Sequence, residues 1–354
     1  MRIFAPLANN EQYIHRCLQL ARMGAGNVAP NPMVGAALVY EDSIIGEGYH
    51  REYGKAHAEV NCINSVAADN KALIEKSTLY VSLEPCAHYG KTPPCADLII
   101  KHKIPHVVIA CRDSFAEVNG RGIEKLKAAG VAVTVGILEK EALELNKRFF
   151  CFHTAKRPYI ILKWAQSKDG KIAGADGKPL AISNAYTNRL VHKWRAEEAA
   201  IMVGTTTALT DDPALTTRLY PGKDPVRVVI DRKNKLPASL KLFDGNAKTI
   251  VFNETKEEEG ETISFYKIDK DEDNIPQMLQ RLYERNIQSL IVEGGAKLLQ
   301  SFIDGGVWDE ARIITNSEMV IDEGIAAPVL QNGQLYSEEK IYSDIIQYFI
   351  NNQR

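Results

Sequence analysis

The stretch that decides the fold is Leu83-Glu84-Pro85-Cys86-Ala87-His88-Tyr89-Gly90-Lys91-Thr92-Pro93-Pro94-Cys95, which follows His57-Ala58-Glu59. One imidazole and two thiolates suit a tetrahedral zinc ion whose fourth position is left for water, the arrangement of a catalytic site. Glu59 stands two residues beyond the histidine, where its carboxylate can reach that water without ligating the metal. We therefore expect His57, Cys86 and Cys95 to bind Zn²⁺ and Glu59 to transfer protons.

Other interpretations of this cluster are open. A structural zinc site needs a fourth protein ligand, and no residue stands at an obvious spacing to supply one. His88 is able in principle to replace one ligand, but binding of one metal ion by both Cys86 and His88, only two residues apart, would strain the backbone. A water-activating zinc beside a glutamate is the layout of nucleobase deaminases, which hydrolyse an amino group from an amidine-like ring carbon. The long insertion between the cysteines also predicts a substrate-contacting loop.

Length and composition bound the class of protein. The 354 residues are enough for two domains, and 45% hydrophobic with 25% charged residues is an ordinary soluble composition. A formal net charge of −2 argues against nucleic acid as the main partner. The amino terminus lacks the apolar run of a signal peptide, and no stretch is long enough to cross a membrane. Thiolate zinc ligands favour a reducing compartment, so we expect a cytoplasmic protein.

The first half of the chain alternates between helix and strand patterns. We expect the closing helix to end at His153 and a linker to follow over 154–158. Both cysteines and His57 are predicted at helix starts, where helix dipoles favour thiolates. The patterns predict a helix from Asn9 or Asn10 to about Gly24, strands over 34–40, 44–49 and 79–83, a helix from His57 through Val66, a helix over 95–101, strands over 107–110 and 131–135 around a helix ending at Gly130, and a helix over 139–153.

A second alternation follows the linker, which makes the whole chain α/β with domains at 1–153 and 158–354. The segment 254–261 is strongly acidic and is expected to be a solvated loop or a short helix end. The remaining patterns predict a strand over 159–164, a helix capped by Ser183 and running through Arg195, strands over 200–203, 226–230, 249–252 and 290–292, and a last edge strand over 344–349.

Polar residues in the second half point to a nucleotide and an anionic substrate. The glycines at Gly204 and at Gly294-Gly295 follow apolar strands, and the backbone amides of such turns bind phosphate, although a plain strand-to-helix turn has the same pattern. Lys163 lies inside an apolar strand, where an unpaired ammonium is costly, so a substrate or a carboxylate partner is expected. Arg195 and Arg218 are suited to phosphate or to surface ion pairs.

These motifs carry a resemblance to the RibD family of riboflavin-biosynthesis enzymes, in which a pyrimidine deaminase is fused to a reductase. The resemblance covers nearly the whole chain and implies a cytidine-deaminase-like three-layer α/β/α domain followed by a dihydrofolate-reductase-like α/β domain. The matching segments are Asn31-Pro32-Met33-Val34-Gly35, Gly46-Glu47-Gly48-Tyr49-His50, His57-Ala58-Glu59-Val60, the stretch over 83–95, Lys163, Ser167-x-Asp169-Gly170, Asp211-Asp212-Pro213-Ala214-Leu215-Thr216 and Val292-Glu293-Gly294-Gly295.

The resemblance also implies roles for individual residues and two consecutive reactions on one phosphoribosyl pyrimidine. These reactions are zinc-dependent hydrolysis of the ring 2-amino group and reduction of the ribosyl to a ribityl chain by NADPH. Lys163 is implied to be catalytic in the reductase. Substrate contacts are implied for Asn31, His50, Lys91, Arg195, Leu215, Arg218 and Glu293, and NADPH contacts for Thr207, Asp211, Arg232, Gly295, Ala296 and Lys297.

The segment over 177–183 departs from the family pattern. Pro179 and Ala181 stand where family members carry a polar residue and a tryptophan, so weaker reductase activity is expected. One alternative is therefore a deaminase whose second domain serves only binding or dimerisation. A more distant alternative is a deaminase directed at tRNA or nucleosides. We expect a homo-oligomer that binds a small molecule and neither nucleic acid nor membrane.

Overall fold

The computed structural model of the protein describes residues 7–89, 93–114, 119–177 and 180–353. The chain divides into two compact units, Met1–Ala155 and Lys156–Arg354, and each is described by itself. In the described ranges no helix combines the length and the apolar character that a membrane span requires.

The first unit is built on one sheet with helices on both faces. The strands are β1 (Gly35–Tyr40), β2 (Ser43–Tyr49), β3 (Thr78–Leu83), β4 (His106–Cys111) and β5 (Ala132–Val135). The helices are α1 (Leu7–Arg22), α2 (Ala58–Asn64), α3 (Cys95–Lys101), α4 (Arg121–Ala128), α5 (Glu139–Leu145) and α6 (Lys147–Ala155), with a 3₁₀ segment over Ala68–Lys76.

The sheet has the strand order β2-β1-β3-β4-β5 and separates two cores. Strand β1 is antiparallel to β2 and β3, whereas β3, β4 and β5 are parallel. Successive residues of β1 alternate between faces: Ala36 and Leu38 pack with α2, α3 and α4, and Ala37 and Val39 pack with α1 and α5. This is the predicted three-layer α/β/α arrangement.

Two glycines of β2 let α2 lie close against the sheet. A Cβ on Gly48 would lie 2.3 Å from the backbone nitrogen of Cys62, and one on Gly46 would lie 2.7 Å from the carbonyl oxygen of the same residue. Any side chain there would push α2 outward. The glycines of the Gly46-Glu47-Gly48 segment thus place the helix that carries Glu59.

The predicted closing helix over 139–153 is wrong as one element, since it is interrupted at Asn146. Asn146 has φ −106° and ψ 23° and separates α5 from α6. Its side chain accepts a hydrogen bond from the backbone N–H of Met33 at 2.8 Å and donates one to the carbonyl of Met33 at 2.9 Å. The side chain therefore fixes the segment that leads into β1. Helix α6 also continues through Ala155, beyond the predicted start of the linker.

The second unit contains a larger sheet. Its helices are α7 (Ala185–Glu197), α8 (Thr205–Asp211), α9 (Asn274–Glu284) and α10 (Ala296–Asp304), with a 3₁₀ turn over Lys241–Phe243. Its strands are β6 (Tyr159–Ser167), β7 (Lys171–Gly174), β8 (Ala200–Val203), β9 (Val226–Ile230), β10 (Thr249–Asn253), β11 (Ile263–Lys267), β12 (Ser289–Val292), β13 (Glu310–Asn316), β14 (Gly324–Ala326), β15 (Gly333–Ile341) and β16 (Asp344–Asn351).

The described part of this unit forms a nine-stranded sheet of order β11-β10-β9-β8-β12-β6-β13-β16-β15. The seven strands from β11 to β13 in this order are parallel to one another. Strand β16 is antiparallel to both of its neighbours, β13 and β15. Its main core packs β6, β8, β9 and β12 with α9 and α10. Because parallel strands end at the same edge, the loops after β8, β9 and β12 lie side by side.

Two predictions for this unit are wrong. Asn184, rather than Ser183, caps α7, and its side-chain oxygen accepts hydrogen bonds from the N–H groups of Tyr186 and Thr187, each at 3.0 Å. The strand predicted over 344–349 exists as β16, but it is not an edge strand. It lies between β13 and β15, and the polar sequence of β15 gave no strand signal.

Candidate functional site

The three predicted metal ligands converge in the first unit. His57 precedes α2 as its N-cap residue, and Cys95 is the first residue of α3. Cys86 lies in the turn after β3, so the prediction of a helix start at this cysteine is wrong. The potential ligand atoms of the three residues lie within 4.8 Å of one another, and His88 is not in this cluster.

The distances fit a zinc ion. The Nδ1 atom of His57 lies 3.6 Å from the Cys86 sulfur and 3.3 Å from the Cys95 sulfur. Typical zinc–nitrogen and zinc–sulfur bonds at a tetrahedral angle would separate nitrogen and sulfur by about 3.6 Å. Three protein donors leave one coordination position for water, as a hydrolytic site requires. The donor set therefore fits catalytic zinc.

Local hydrogen bonds favour the thiolate form of Cys86. The Cys95 thiol is hydrogen-bonded to it, and His57 and the Cys95 backbone N–H add further bonds, so the pKa of the Cys86 thiol falls to about 4 despite its burial. The backbone contact is 3.3 Å long. A deprotonated sulfur is the form that binds a metal.

Glu59 lies beside the cluster, in the first turn of α2. The residue is 3% exposed. Burial raises the pKa of its carboxyl, and the charge of Cys86 adds to the rise. A carboxyl group that is protonated more readily than usual suits a group that must take up and release a proton.

Two predicted substrate residues of this unit are in contact. The Asn31 side-chain nitrogen lies 3.2 Å from Nε2 of His50, and Nδ1 of His50 lies 3.1 Å from the carbonyl oxygen of Ala56. Because a carbonyl only accepts, Nδ1 carries the proton and Nε2 of a neutral ring accepts from Asn31. Burial lowers the pKa of His50, which favours this neutral form. Lys91 lies outside the described residues.

The second unit holds a buried charged cluster. Glu293, directly after β12, accepts from Nε and Nη2 of Arg195 at 2.9 and 2.6 Å. Lys163 on β6 places Nζ 3.7 Å from the same carboxylate. The three side chains are 4%, 14% and 12% exposed in that order, so their charges interact with little water between them. The expected carboxylate partner of Lys163 is therefore Glu293.

The cluster changes the pKa of both Lys163 and Glu293. Burial lowers the pKa of Lys163, and the charge of Arg195 lowers it further against the opposing effect of Glu293. Burial alone would raise the pKa of Glu293, but Arg195 and Lys163 lower it to about 2. Glu293 is therefore ionised, and Lys163 releases a proton more readily than an exposed lysine.

The segment before Arg218 is held against this cluster. Leu215 is buried and has φ 53°, a left-handed conformation that is costly for a branched side chain. The carbonyl of the next residue, Thr216, lies 3.4 Å from Nη1 of Arg195. Arg218 itself is exposed. With Arg189 and Lys193 it lines an open cleft of about 810 Å³, whose other lining residues include Tyr220.

Most of the predicted cofactor residues gather at one edge of the sheet. A Cβ on Gly294 would lie 2.9 Å from the Thr207 methyl carbon, so the glycine turn and the start of α8 are in contact. Gly295 has φ 79° and precedes α10, which begins with Ala296 and Lys297. Arg232 follows β9 and is 53% exposed. Asp211 ends α8, and its described partner is Thr210.

This edge fits a dinucleotide phosphate. The absence of a side chain at Gly294 lets this turn pack closely against Thr207, which brings the starts of α8 and α10 together. The free N–H groups at the start of α10 and the exposed guanidinium of Arg232 are both anion donors. Lys178 and Pro179 of the segment that departs from the family pattern lie outside the described residues, and Ala181 is exposed.

Two residues in these sites were not predicted as site residues from the sequence. Glu84, two residues before Cys86, is buried and accepts hydrogen bonds from four backbone N–H groups. His192 is 4% exposed, and burial together with Arg195 and Arg218 lowers its pKa to about 4. The spacing of three residues between His192 and Arg195 was the available signal, since it places both on one face of α7.

Two family models match the chain, one for each unit. Residues 7–111 match the cytidine and deoxycytidylate deaminase zinc-binding region, and residues 158–322 match the RibD C-terminal domain. Together with the metal ligands and the Lys163 cluster, these matches define a zinc-dependent deaminase joined to a reductase.

Similarity to known proteins extends over nearly the whole chain. The chain is 39% identical over 322 residues to the riboflavin biosynthesis protein RibD of Aquifex aeolicus, covering 90% of this chain and 89% of that protein. It is 39% identical over 339 residues to RibD of Bacillus amyloliquefaciens, covering 93% and 90%. The chain belongs to the RibD family of riboflavin-biosynthesis proteins.

A solved structure from Thermotoga maritima agrees with this assignment. It is described as a diaminohydroxyphosphoribosylaminopyrimidine deaminase/5-amino-6-(5-phosphoribosylamino)uracil reductase and is 36% identical, with 98% of this chain and 99% of that chain covered and a TM-score of 0.89. The protein is a bifunctional deaminase and reductase of riboflavin biosynthesis whose cofactors are zinc and NADPH. None of these relatives favours the alternative of a deaminase alone.

Proposed function

We propose that the two activities act in succession on one phosphoribosyl pyrimidine. The first converts 2,5-diamino-6-(5-phosphoribosylamino)pyrimidin-4-one to the uracil by hydrolysing its 2-amino group. The second reduces the ribosyl to give 5-amino-6-(5-phosphoribitylamino)uracil. The observation that carries this proposal is the presence of two separate polar clusters, His57–Cys86–Cys95 with Glu59 and Lys163–Glu293–Arg195, each within its own compact unit.

In the deaminase unit, His57, Cys86 and Cys95 would hold the zinc ion, which would supply an activated water for attack on the ring carbon. Glu59 takes a proton from that water and delivers it to the amino nitrogen, which leaves as ammonia. Its raised pKa supports both transfers. Asn31 and His50, held together by their hydrogen bond, orient the pyrimidine, and Lys91 is assigned to the substrate as well.

In the reductase unit, NADPH held by the residues named below would supply a hydride for the sugar carbon C1′. Lys163 delivers the matching proton to the ribose ring oxygen, which becomes a hydroxyl as the ring opens. The lowered pKa of Lys163 supports that transfer. Glu293 holds Lys163 and Arg195 in place and contacts the substrate. Leu215 contacts the substrate beside this cluster.

The anionic groups of substrate and cofactor are assigned to different basic residues. Arg218 binds the substrate phosphate at the cleft that it shares with Arg189 and Lys193. We assign the cofactor to Thr207, Asp211, Arg232 and the 295–297 turn, and the ribose 2′-phosphate to Arg232. The exposure of Arg218 and Arg232 supports both assignments.

The proposal includes domain limits of 1–153 and 158–354, a cytoplasmic location and no nucleic-acid partner. The near-neutral charge of −2 supports the last point, and the thiolate ligands support a reducing compartment. We also propose a homo-oligomer. Strand β15 is a long exposed edge, and Leu335, Tyr336 and Tyr342 near it are 46%, 47% and 68% exposed. An uncovered edge of this kind favours pairing with a second copy.

The test combines metal analysis with assays of each step. Purified protein should contain about one zinc per chain, release ammonia from the diamino substrate, and oxidise NADPH only when the deaminated intermediate is supplied or formed. Comparison of NADPH with NADH tests the role of Arg232. Protein that contains zinc and releases ammonia yet never oxidises NADPH would refute the second step.

A further inference from the structure

The turn that carries Cys86 is anchored through the side chain of the residue two positions before it. Glu84 follows β3 and is 3% exposed. One carboxylate oxygen accepts from the N–H groups of Asp113 and Gly120 at 3.2 and 3.0 Å. The other accepts from Gly122 and Ile123 at 3.0 and 3.2 Å. Two backbone donors from the segment between β4 and α4 and two from the first turn of α4 therefore meet on one buried carboxylate.

The first turn of α4 also touches the next residue of the turn, Pro85. A Cβ on Gly122 would lie 2.0 Å from the carbonyl oxygen of Pro85, so the first turn of α4 packs directly on the Pro85 peptide. Only a residue without a side chain fits there. Glu84 and Gly122 thus determine how closely α4 approaches the Glu84-Pro85-Cys86 turn.

The other side of Cys86 is held by α3. The backbone N–H of Cys95 points at the Cys86 sulfur at 3.3 Å, and the N–H of Ala96 donates to the Cys86 carbonyl at 3.1 Å. These contacts fix Cys86 relative to α3, and the backbone N–H of Glu84 ties the start of the turn to β4 by donating to the Cys111 carbonyl at 3.0 Å. The side-chain bonds of Glu84 add a further restraint, because they connect the turn to the residues after β4 and to α4.

A carboxylate is required for this pattern, because all four partners are donors. An amide of the same shape accepts at one end only and turns an N–H₂ group toward two backbone N–H groups. Buried donors that lose their acceptor are costly, because no water replaces it. The turn is then expected to shift, and the Cys86 sulfur shifts with it.

We propose that Glu84 is a positioning residue for the metal centre: through its four backbone hydrogen bonds it sets the place of the Cys86 sulfur relative to His57 and Cys95. This inference rests on the proposed ligand set. Residues that orient metal ligands typically affect metal affinity or activity by about 10–100-fold.

The experiment compares intact protein with Glu84→Gln and with the matched control Glu47→Gln, whose carboxylate pairs with the partly exposed Arg16. Zinc release to a colorimetric chelator is timed for each. The thiolate-to-metal absorption band is recorded after replacement of zinc by Co²⁺. Glu84→Gln should release zinc about tenfold faster and change the cobalt band, whereas Glu47→Gln should match wild type in both.

A second variant reaches the same turn without removing the charge. Gly122→Ala places a methyl group against the Pro85 carbonyl and should also speed zinc release and alter the cobalt band, and it decides the question if Glu84→Gln does not fold. If both variants lower only the melting temperature, with wild-type release and band, Glu84 is merely structural and the inference is overturned. Wild-type protein without zinc would instead refute the proposed ligand set.

Discussion

The metal centre and the Lys163 cluster place charge in the interior in opposite ways. The centre gathers two sulfurs, an imidazole and a buried carboxyl, and the cation that compensates the thiolates must come from solution. The cluster contains its own counterion, because Glu293 lies between Lys163 and Arg195. The first site therefore depends on backbone placement and on zinc, whereas the second depends on side chains that neutralise one another.

This difference has a consequence for mutations. Removing a group from the metal centre should change metal binding or chemistry while the two apolar cores of that unit remain. Removing Glu293 leaves two buried cations without a counterion, which is expected to weaken folding as well as function.

The largest effect is expected for Glu59→Gln. The amide cannot carry the proton between water and the leaving nitrogen, so deamination should fall by about a hundredfold or more, with zinc content unchanged. Ammonia release and metal analysis measure the two quantities. Full loss of zinc in this variant would mean that Glu59 is a ligand.

Lys163→Ala should have a comparable effect on the other reaction. Loss of the proton donor is expected to slow NADPH oxidation by about a hundredfold, while zinc content and ammonia release stay at wild-type values. Lys256→Ala is a suitable control because this lysine forms an exposed pair with Glu258. Equal losses in both variants would argue against a specific role for Lys163.

Glu293 should contribute stability that depends on pH. Its folded-state pKa is lowered to about 2, below its unfolded value, so the contribution is complete above the unfolded pKa and disappears as the pH falls toward the folded one. The shift corresponds to about 3 kcal/mol. Denaturant unfolding between neutral and acid pH should show this loss.

Glu293→Gln provides the check on that assignment. The variant should already be destabilised by about 3–5 kcal/mol at neutral pH, and it should lack the corresponding acid-dependent loss. Glu258→Gln, at a side chain that is 58% exposed, should unfold like wild type. A variant at Glu293 with wild-type stability would show that the cluster is not self-compensating.

The smallest effect is expected at the exposed Arg218, which lines the open cleft of the second unit. Arg218→Ala should raise the KM of the reductase for its phosphorylated substrate about tenfold, with kcat within a few-fold, since one charge-assisted contact is lost. Salt should reduce the difference from wild type because the site is open to solvent. Arg285→Ala, at an exposed ion pair with Glu259, serves as the control. An unchanged KM would remove Arg218 from the substrate site.

The metal centre was predictable because its residue types are rare and stand in short, specific motifs, His57-Ala58-Glu59 and the stretch over 83–95. His57, Cys86 and Cys95 are recognisable as ligands without knowing how the chain folds, and the apolar strand over 159–164 identified Lys163 as exceptional. The buried parallel strands were predicted for the same reason, since short apolar runs between turns leave few alternatives.

The remaining features depend on contacts between distant parts of the chain. Asn146 breaks a helical pattern because it hydrogen-bonds with Met33, which no local rule reveals. Strand β15 is polar because it lies at an exposed edge, so it lacks the alternation that predicts strands. Glu84 acquires its importance from distant segments that donate hydrogen bonds to it, so its residue type and position gave no signal. His192 differs, because its spacing from Arg195 on α7 is visible in the sequence.

The central claim is that the chain contains two independent sites, and Cys86→Ser tests it most directly. Zinc content, ammonia release and NADPH oxidation are measured on the folded variant, starting from the diamino substrate and separately from the deaminated intermediate. The account predicts loss of zinc and of deamination, with reduction of the supplied intermediate within a few-fold of wild type. Loss of reduction in a variant that remains folded would contradict it and require a single composite active site.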